Sequence, residues 1–345
     1  MSTDAIASPT VDDIDLLGGR RTTPTERIQH VLHSHPWISP AAVLVLAIIA
    51  FSLKNHRFAR PENLGLILQQ TAVVGALAVG QTLIMITAGI DLSVGSIVIL
   101  AQIVAAKVFA DHGLPSILPL LLGIAIGVGL GLVNGALITR LKLQPFIVTL
   151  GTLSIVLSVA LLYGSGVTIS ESQLSPLLLW PGKVVNLGSF KITTGVLMTI
   201  ALYVIFSFIL KNTAWGRHVY ATGDDVEAAR LAGIRTDRVL LSVYAVAGLI
   251  FGIGAWILIG RSQGANTNAI TDANLNTITA SVIGGTSLSG GRGILFGSLL
   301  GALIVGVFFN GLTLAGVDAN WKFFAGGVLI IVAAGIDQWI RKVGK

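Results

Sequence analysis

The chain has no cysteine among its 345 residues, which excludes disulfides and thiolate metal sites. Charge is nearly as scarce: 11% of residues are Asp, Glu, Lys or Arg, 53% are hydrophobic, and the mean hydropathy is +0.85. A water-soluble domain carries about 25% charged residues, so this composition does not fit one. No string of the form G-x-x-x-x-G-K-[ST] occurs, so the chain has no phosphate-cradling loop for nucleotide hydrolysis. The first 36 residues lack an early apolar core and contain Asp12, Asp13 and Asp15. They read as a polar, disordered cytoplasmic tail rather than a cleaved signal peptide. Aromatic residues make up 7%. Histidine is equally uninformative: His30, His33 and His35 cluster without carboxylate companions in a helical register, and His56, His112 and His218 fall in loops. No catalytic constellation, metal site or bound cofactor is expected.

What the chain does have is glycine, 41 residues of it, in apolar runs about long enough to cross a bilayer. Reading between charges gives ten candidate spans: 38–53, 64–90, 92–106, 113–139, 143–170, 192–210, 239–260, 273–291, 293–317 and 323–336. The second and third run together, and the eighth is polar for a lipid-facing helix, as expected of broken helices shielded by neighbours. The expected fold is therefore all-α and polytopic, with about ten transmembrane or partly broken helices. It divides into the tail at 1–36 and a transmembrane domain at 37–345. The net charge of +6 is scattered between apolar stretches, so it sets topology rather than binding nucleic acid. With both termini inside, most Lys and Arg fall in inner segments; Lys54, Arg57 and Arg60 are the exceptions.

Between Glu62 and Lys107 the single charged residue is Asp91, in "TAGIDLSVGS" at 87–96. An ionised Asp at mid-bilayer costs about 2.5 to 3.5 kcal/mol, so something must offset it. One reading breaks the chain at Gly89 and makes Asp91 the start of the next helix, accepting from N–H groups near Ser93 and Val94. The other makes Asp91 a substrate ligand or proton carrier. An internal repeat favours the first, because "GIDLSVG" at 89–95 aligns with "GTSLSGG" at 285–291 and sets Ser287 opposite Asp91. Downstream, "LLGIAIGV" from Leu121, ending near Asn134, matches "LLGALIVGV" from Leu299, ending near Asn310. Two weakly repeated halves follow, with a path expected at their interface. Its candidates are Gln81, Gly89, Asp91, Ser93, Gly95, Asn134, Thr286, Ser287, Ser289 and Asn310. Separately, Gly123, Gly127, Gly131 and Gly135 recur every four residues and predict a close helix-packing stripe.

The longest charged connection lies at 211–238. Its centre, "GDDVEAARLAGI" at 223–234, reads as a short helix. Asp224 or Asp225 caps its start, Glu227 pairs with Arg230, and Gly233 ends it. Two turns of helix are not stable alone, so the segment must pack on its own bundle or on a partner.

Together, "GQTLIMITAGIDLSVGS" at 80–96, "PFIVTLGTL" at 145–153, "GDDVEAARLAGI" and "VIGGTSLSGGRG" at 282–293 resemble the membrane permease of bacterial ribose-type ABC importers, over roughly 60–337. The resemblance implies a homodimer in the bacterial inner membrane, a cytoplasmic ABC ATPase that uses ATP, and a periplasmic sugar-binding protein that delivers substrate. It places Gly223, Asp224, Asp225, Glu227, Ala228, Ala229, Arg230 and Gly233 at the contact with the ATPase. Branched-chain amino-acid permeases resemble the group more distantly. The same machine carrying an amino acid, a nucleoside or a signalling sugar is the alternative. An ion-coupled secondary transporter would keep several ionisable groups at mid-membrane depth, where Asp91 stands alone.

Overall fold

The computed structural model describes residues 37–335 except 269–271, 319, 323, 329–330 and 333–334. The expected tail at 1–36 lies outside the described residues; of the span expected at 323–336 only parts are described, and those are helical. The chain forms a helical bundle. In order, α1 is Ile38–Lys54, α2 Pro61–Ile86, α3 Val94–His112, α4 Ile117–Arg140 and α5 Pro145–Gly164. A small irregular unit then carries β1 (Ile169–Ser170), α6 (Pro176–Leu179), β2 (Val184–Leu187) and β3 (Phe190–Thr193). The remainder is α7 (Thr194–Asn212), α8 (Ala214–Asp224), α9 (Val226–Leu231), α10 (Thr236–Ser262), β4 (Gly264–Ala265), α11 (Ala273–Ile283) and α12 (Leu295–Leu314). Seven of these, α2 to α5, α7, α10 and α12, are long and apolar enough to cross a membrane, so the all-α, multi-pass expectation holds.

Helix α2 is the central element: Pro61 occupies its first turn, and nearly every residue from Thr71 to Ile86 is buried. It runs from the end of the bundle that holds the 54–60 loop to the end that holds α8 and α9. The basic loop at 54–60 folds over the far end of α12, with Phe58 fully buried and Asn55 Nδ2 donating to the Leu314 carbonyl at 3.0 Å.

Several boundaries differ from the expected spans. The fifth stops at Gly164 rather than 170, because Ser165 and Gly166 both take left-handed φ, 50° and 71°. The following residues are apolar yet pair as strands: β1 with β4, and β2 with β3 as a hairpin. That hairpin docks on α2 through Gln69 Nε2, which donates to the Lys191 carbonyl at 3.0 Å. The eighth span is an 11-residue helix, α11, followed by an irregular segment. A helix that short cannot cross a bilayer of about 30 Å.

The glycine stripe packs as expected, with a division of labour. A Cβ on Gly127 would overlap the Gly248 carbonyl and lie 2.9 Å from Gly252 N. Gly248 returns the approach toward Gly127, Gly131 meets the Tyr244 backbone, and Gly123 faces Ala101 and Ala105 of α3. Helices in apolar surroundings gain little from hydrophobic burial, so this close van der Waals fit holds α4 to α10. Gly129, two residues away, has nothing within 4 Å of the point a Cβ would occupy. Gly127→Ala is expected to lower the melting temperature of the detergent-solubilised protein by several degrees, whereas Gly129→Ala leaves it unchanged or raises it slightly by removing a helical glycine. Equal melting temperatures for the two variants contradict this packing.

Candidate functional site

Two helix breaks and one surface segment gather the polar residues that the sequence singles out. The first break separates α2 from α3. Here Ala88, not Gly89, takes the left-handed conformation (φ 60°). Ala88 N donates to the Met85 carbonyl and Gly89 N to the Ile84 carbonyl, both at 3.0 Å. These are the paired bonds of a Schellman turn, which satisfy carbonyls left open at a helix end. Gly89 is required for space instead: a Cβ there would come 2.9 Å from both Ile84 Cγ2 and the Tyr244 hydroxyl.

Asp91 is buried, and its Oδ1 accepts from Ser93 N at 2.7 Å and Ser93 Oγ at 2.5 Å. The expected bond from Val94 is not formed: α3 starts at Val94 with Ser93 before it, so Asp91 closes a turn two residues ahead of the helix rather than capping it. The start of α3 is met from elsewhere, by Asn274 Oδ1 of α11, which accepts from Gly95 N at 2.6 Å. Ser93 Oγ in turn accepts from Asn134 Nδ2 at 3.0 Å, and Asn134 Oδ1 accepts from Thr152 Oγ1 at 2.6 Å. Thr149 Oγ1 donates to the Ile90 carbonyl at 3.0 Å. A chain of hydrogen bonds thus ties the break to α4 and α5, and among the described residues Asp91 is held by these bonds and pairs with no cation.

The second break, between α11 and α12, repeats the first at its start. Gly285 N donates to the Val282 carbonyl and Thr286 N to the Ser281 carbonyl, another Schellman turn, with Gly285 at φ 85°. Ser287 Oγ accepts from Ser289 N at 3.2 Å, as Asp91 accepts from Ser93 two residues on. The break motif is therefore repeated in structure. Thr286 and Ser287 are buried, whereas Ser289 is exposed. Thr286 Oγ1 lies 3.4 Å from Ser298 Oγ, which joins Thr82 Oγ1 at 2.7 Å, and Thr82 reaches Ser281 Oγ at 3.0 Å. Gln81 beside it is fully buried, and its amide has no hydrogen-bond partner among the described residues.

The downstream match is not equivalent in space. Asn134 sits in α4, one helix beyond α3, and joins the Asp91 turn. Asn310 sits in α12, which follows its break directly, and accepts from Asn63 Nδ2 at 3.0 Å at the opposite end of the bundle. The structure therefore brings Asp91, Ser93, Gly95 and Asn134 together and leaves Asn310 apart. Thr149, Thr152, Asn274, Thr82, Ser281 and Ser298 were not anticipated; hydroxyls and amides inside apolar runs are their one signal.

At the end of the bundle that carries both breaks lies the 211–238 segment. It holds two helices where one was expected. Thr213 Oγ1 caps α8 by accepting from Gly216 N at 3.1 Å, and Trp215, Val219 and Thr222 supply its inward stripe, with Val219 and Thr222 fully buried. Asp225 rather than Asp224 caps α9, accepting from Glu227 N and Ala228 N at 2.9 Å. Arg230 Nη1 lies 3.1 Å from Glu227 Oε1 and Nη2 lies 3.6 Å from Asp237. Both pairs are solvent-exposed and add little stability. Gly233, at φ 85°, closes the helix with a third Schellman turn, its N donating to the Arg230 carbonyl and Ile234 N to that of Ala229. Ala229 faces inward, while Leu231 is 90% exposed.

No group of three His, Asp or Glu side chains that would hold a metal ion occurs among the described residues. Residues 63–333 match the family model described as the branched-chain amino acid transport system / permease component. The chain is 44% identical to the fructose import permease protein of Rhizobium meliloti over 335 residues, covering 96% of this chain and 93% of that one. It is 36% identical to the ribose import permease protein of Bacillus subtilis, over 87% of this chain and 92% of the relative. Identity to the galactose/methyl galactoside import permease protein of Escherichia coli K12 is 35%, over 86% and 91%. With matched breaks, a multi-pass bundle and relatives aligned over nearly their whole length, the chain belongs to this family of membrane permease components of import systems.

Proposed function

We propose that the protein is the transmembrane permease subunit of an ATP-binding-cassette importer for a monosaccharide. It works as a homodimer in the bacterial inner membrane with a cytoplasmic ATPase pair and a periplasmic sugar-binding protein. The observation that carries this reading is the short, exposed helix α9, projecting Leu231 from the bundle end that carries both helix breaks, in a chain with no nucleotide-binding loop of its own. A leucine left 90% exposed on a six-residue helix supplies the apolar knob that a partner's groove buries. The three relatives import fructose, ribose and galactose, which supports a monosaccharide substrate here. ATP-driven closure of the partner would displace α9, and the bundle would switch access between the two sides. Such coupling needs a two-state element that both the nucleotide and the loaded binding protein bias.

The purified chain is expected to show no ATP hydrolysis until an ATPase partner is added, and Leu231→Asp is expected to weaken co-purification of that partner about ten-fold while the monodispersity of the permease is kept. Hydrolysis by the lone chain rejects the reading. Gly233→Pro forces φ to about −65° and deletes the N–H that bonds the Arg230 carbonyl, so uptake of labelled sugar by cells carrying the complete importer should fall to background. Normal uptake by that variant removes α9 from the coupling role.

We also assign Asp91 to the break as a structural hinge rather than as a substrate ligand, because its Oδ1 is committed to Ser93. Asp91→Asn keeps that acceptor and should assemble and transport. Asp91→Leu leaves the Ser93 N–H buried and unpaired, a cost of about 1 to 3 kcal/mol, and should reduce the yield of folded protein. An Asn variant that assembles normally yet transports nothing assigns the carboxylate a direct role instead.

A further inference from the structure

Where α8 ends, three segments distant in sequence approach closely at Gly223, Gly290 and Gly291. A Cβ on Gly223 would overlap the Ile86 carbonyl oxygen and lie 2.9 Å from Gly291 N. A Cβ on Gly290 would lie 2.7 Å from Ala88 Cβ, and one on Gly291 would lie 2.8 Å from Asp224 Cα. Gly290 and Gly291 also hold positive φ, 84° and 70°. Two hydrogen bonds fasten the meeting point: Gly291 N donates to the Ile86 carbonyl at 2.9 Å, and the Tyr220 hydroxyl donates to the Gly293 carbonyl at 2.7 Å. So the end of α8 touches the last turn of α2 and the loop of the second break at once.

The bond to Ile86 bears on the shape of α2. In an uninterrupted helix the Ile86 carbonyl would accept from the N–H of residue 90, four positions on. Here Gly291 of the other break takes it. The second break therefore stabilises the first in its broken form, and Gly223 wedges against the two atoms that form the bond. Contacts between backbones have no rotatable side chain to absorb a displacement. A shift of α9 is carried through Asp225 to Gly223, and from there to both breaks together.

We propose that Gly223, Gly290 and Gly291, with Tyr220, form the transmission point of the importer: positioning residues through which movement of α9 reorients the two helix breaks. This rests on the permease reading above, and it goes further by naming where inside the bundle the ATPase signal arrives. The junction acts as a latch between two states of α2, broken while Gly291 occupies the Ile86 carbonyl and free to straighten when α8 draws back.

The test uses the full chain in complex with its co-purifying ATPase. Leu288, exposed in the second break, is replaced as Leu288→Cys in this cysteine-free chain, and the rate of labelling by a thiol-reactive fluorophore is measured with and without ATP. The parent complex is expected to show an ATP-dependent change of about five-fold. Gly290→Ala, at the junction but outside the residues expected at the ATPase contact, is expected to retain the ATPase and hydrolyse ATP while losing that change, and Tyr220→Phe, which removes one hydroxyl, to lose part of it. Should Gly290→Ala fail to fold, Tyr220→Phe decides. An undiminished change in both folded variants overturns the inference, as does a parent complex that binds its ATPase yet shows no ATP-dependent labelling. A parent chain that binds no ATPase overturns the permease reading as well.

Discussion

A backbone amide or carbonyl left unpaired in a hydrocarbon layer costs several kcal/mol, and two of this chain's helices stop inside the bundle. The hydrogen bonds at the two breaks answer that constraint. Each break opens with a Schellman turn that closes the carbonyls of the preceding helix. Each then uses one short polar side chain, Asp91 or Ser287, to accept an N–H two residues later. The carbonyl of Ile86 is met by the opposite break, and the start of α3 by Asn274 of α11. The breaks are thus mutually dependent: neither is fully satisfied without the other.

Satisfying those groups requires helices to approach more closely than large side chains permit, which explains the abundance of glycine. At the crossing of α4 and α10 the glycines serve static packing, since Gly127 and Gly248 face one another along the helix sides. Around Gly223 they serve a different geometry, an end-on contact where helices terminate. The same residue type therefore stiffens one part of the bundle and, in the other, sits where a rearrangement would be transmitted. A polar chain from Asp91 through Ser93 and Asn134 to Thr152 holds the first break to α4 and α5. The carboxylate is kept by hydrogen bonds from Ser93.

Much of this was legible in residue order. The apolar runs at 113–139, 192–210, 239–260 and 293–317 became α4, α7, α10 and α12 with small shifts at their ends. The helix at 226–231, its pair Glu227 and Arg230, and its glycine end were readable because caps, i,i+3 pairs and left-handed glycines act over a few residues. The interruption near Asp91 was readable as an interruption, although Ala88 rather than Gly89 takes the left-handed position. The overrun of the fifth span and the missed α8 have one cause. Hydropathy reports burial, and it cannot separate a buried strand or an amphipathic surface helix from the end of a transmembrane helix.

By itself the sequence determined that the chain lives in a membrane as a multi-pass helical protein, because composition and span length are properties of single residues and short strings. It also pointed to the interruption at Asp91, the related string at Ser287 and the short helix α9, which depend on local bonds. Tertiary structure alone decided that Asn134 serves the Asp91 turn while Asn310 does not, and that Gly223 meets Ile86 and Gly291. Those contacts join residues tens to hundreds of positions apart, and the packing of whole helices, which no local pattern encodes, sets which of many available hydroxyls, amides and glycines come together.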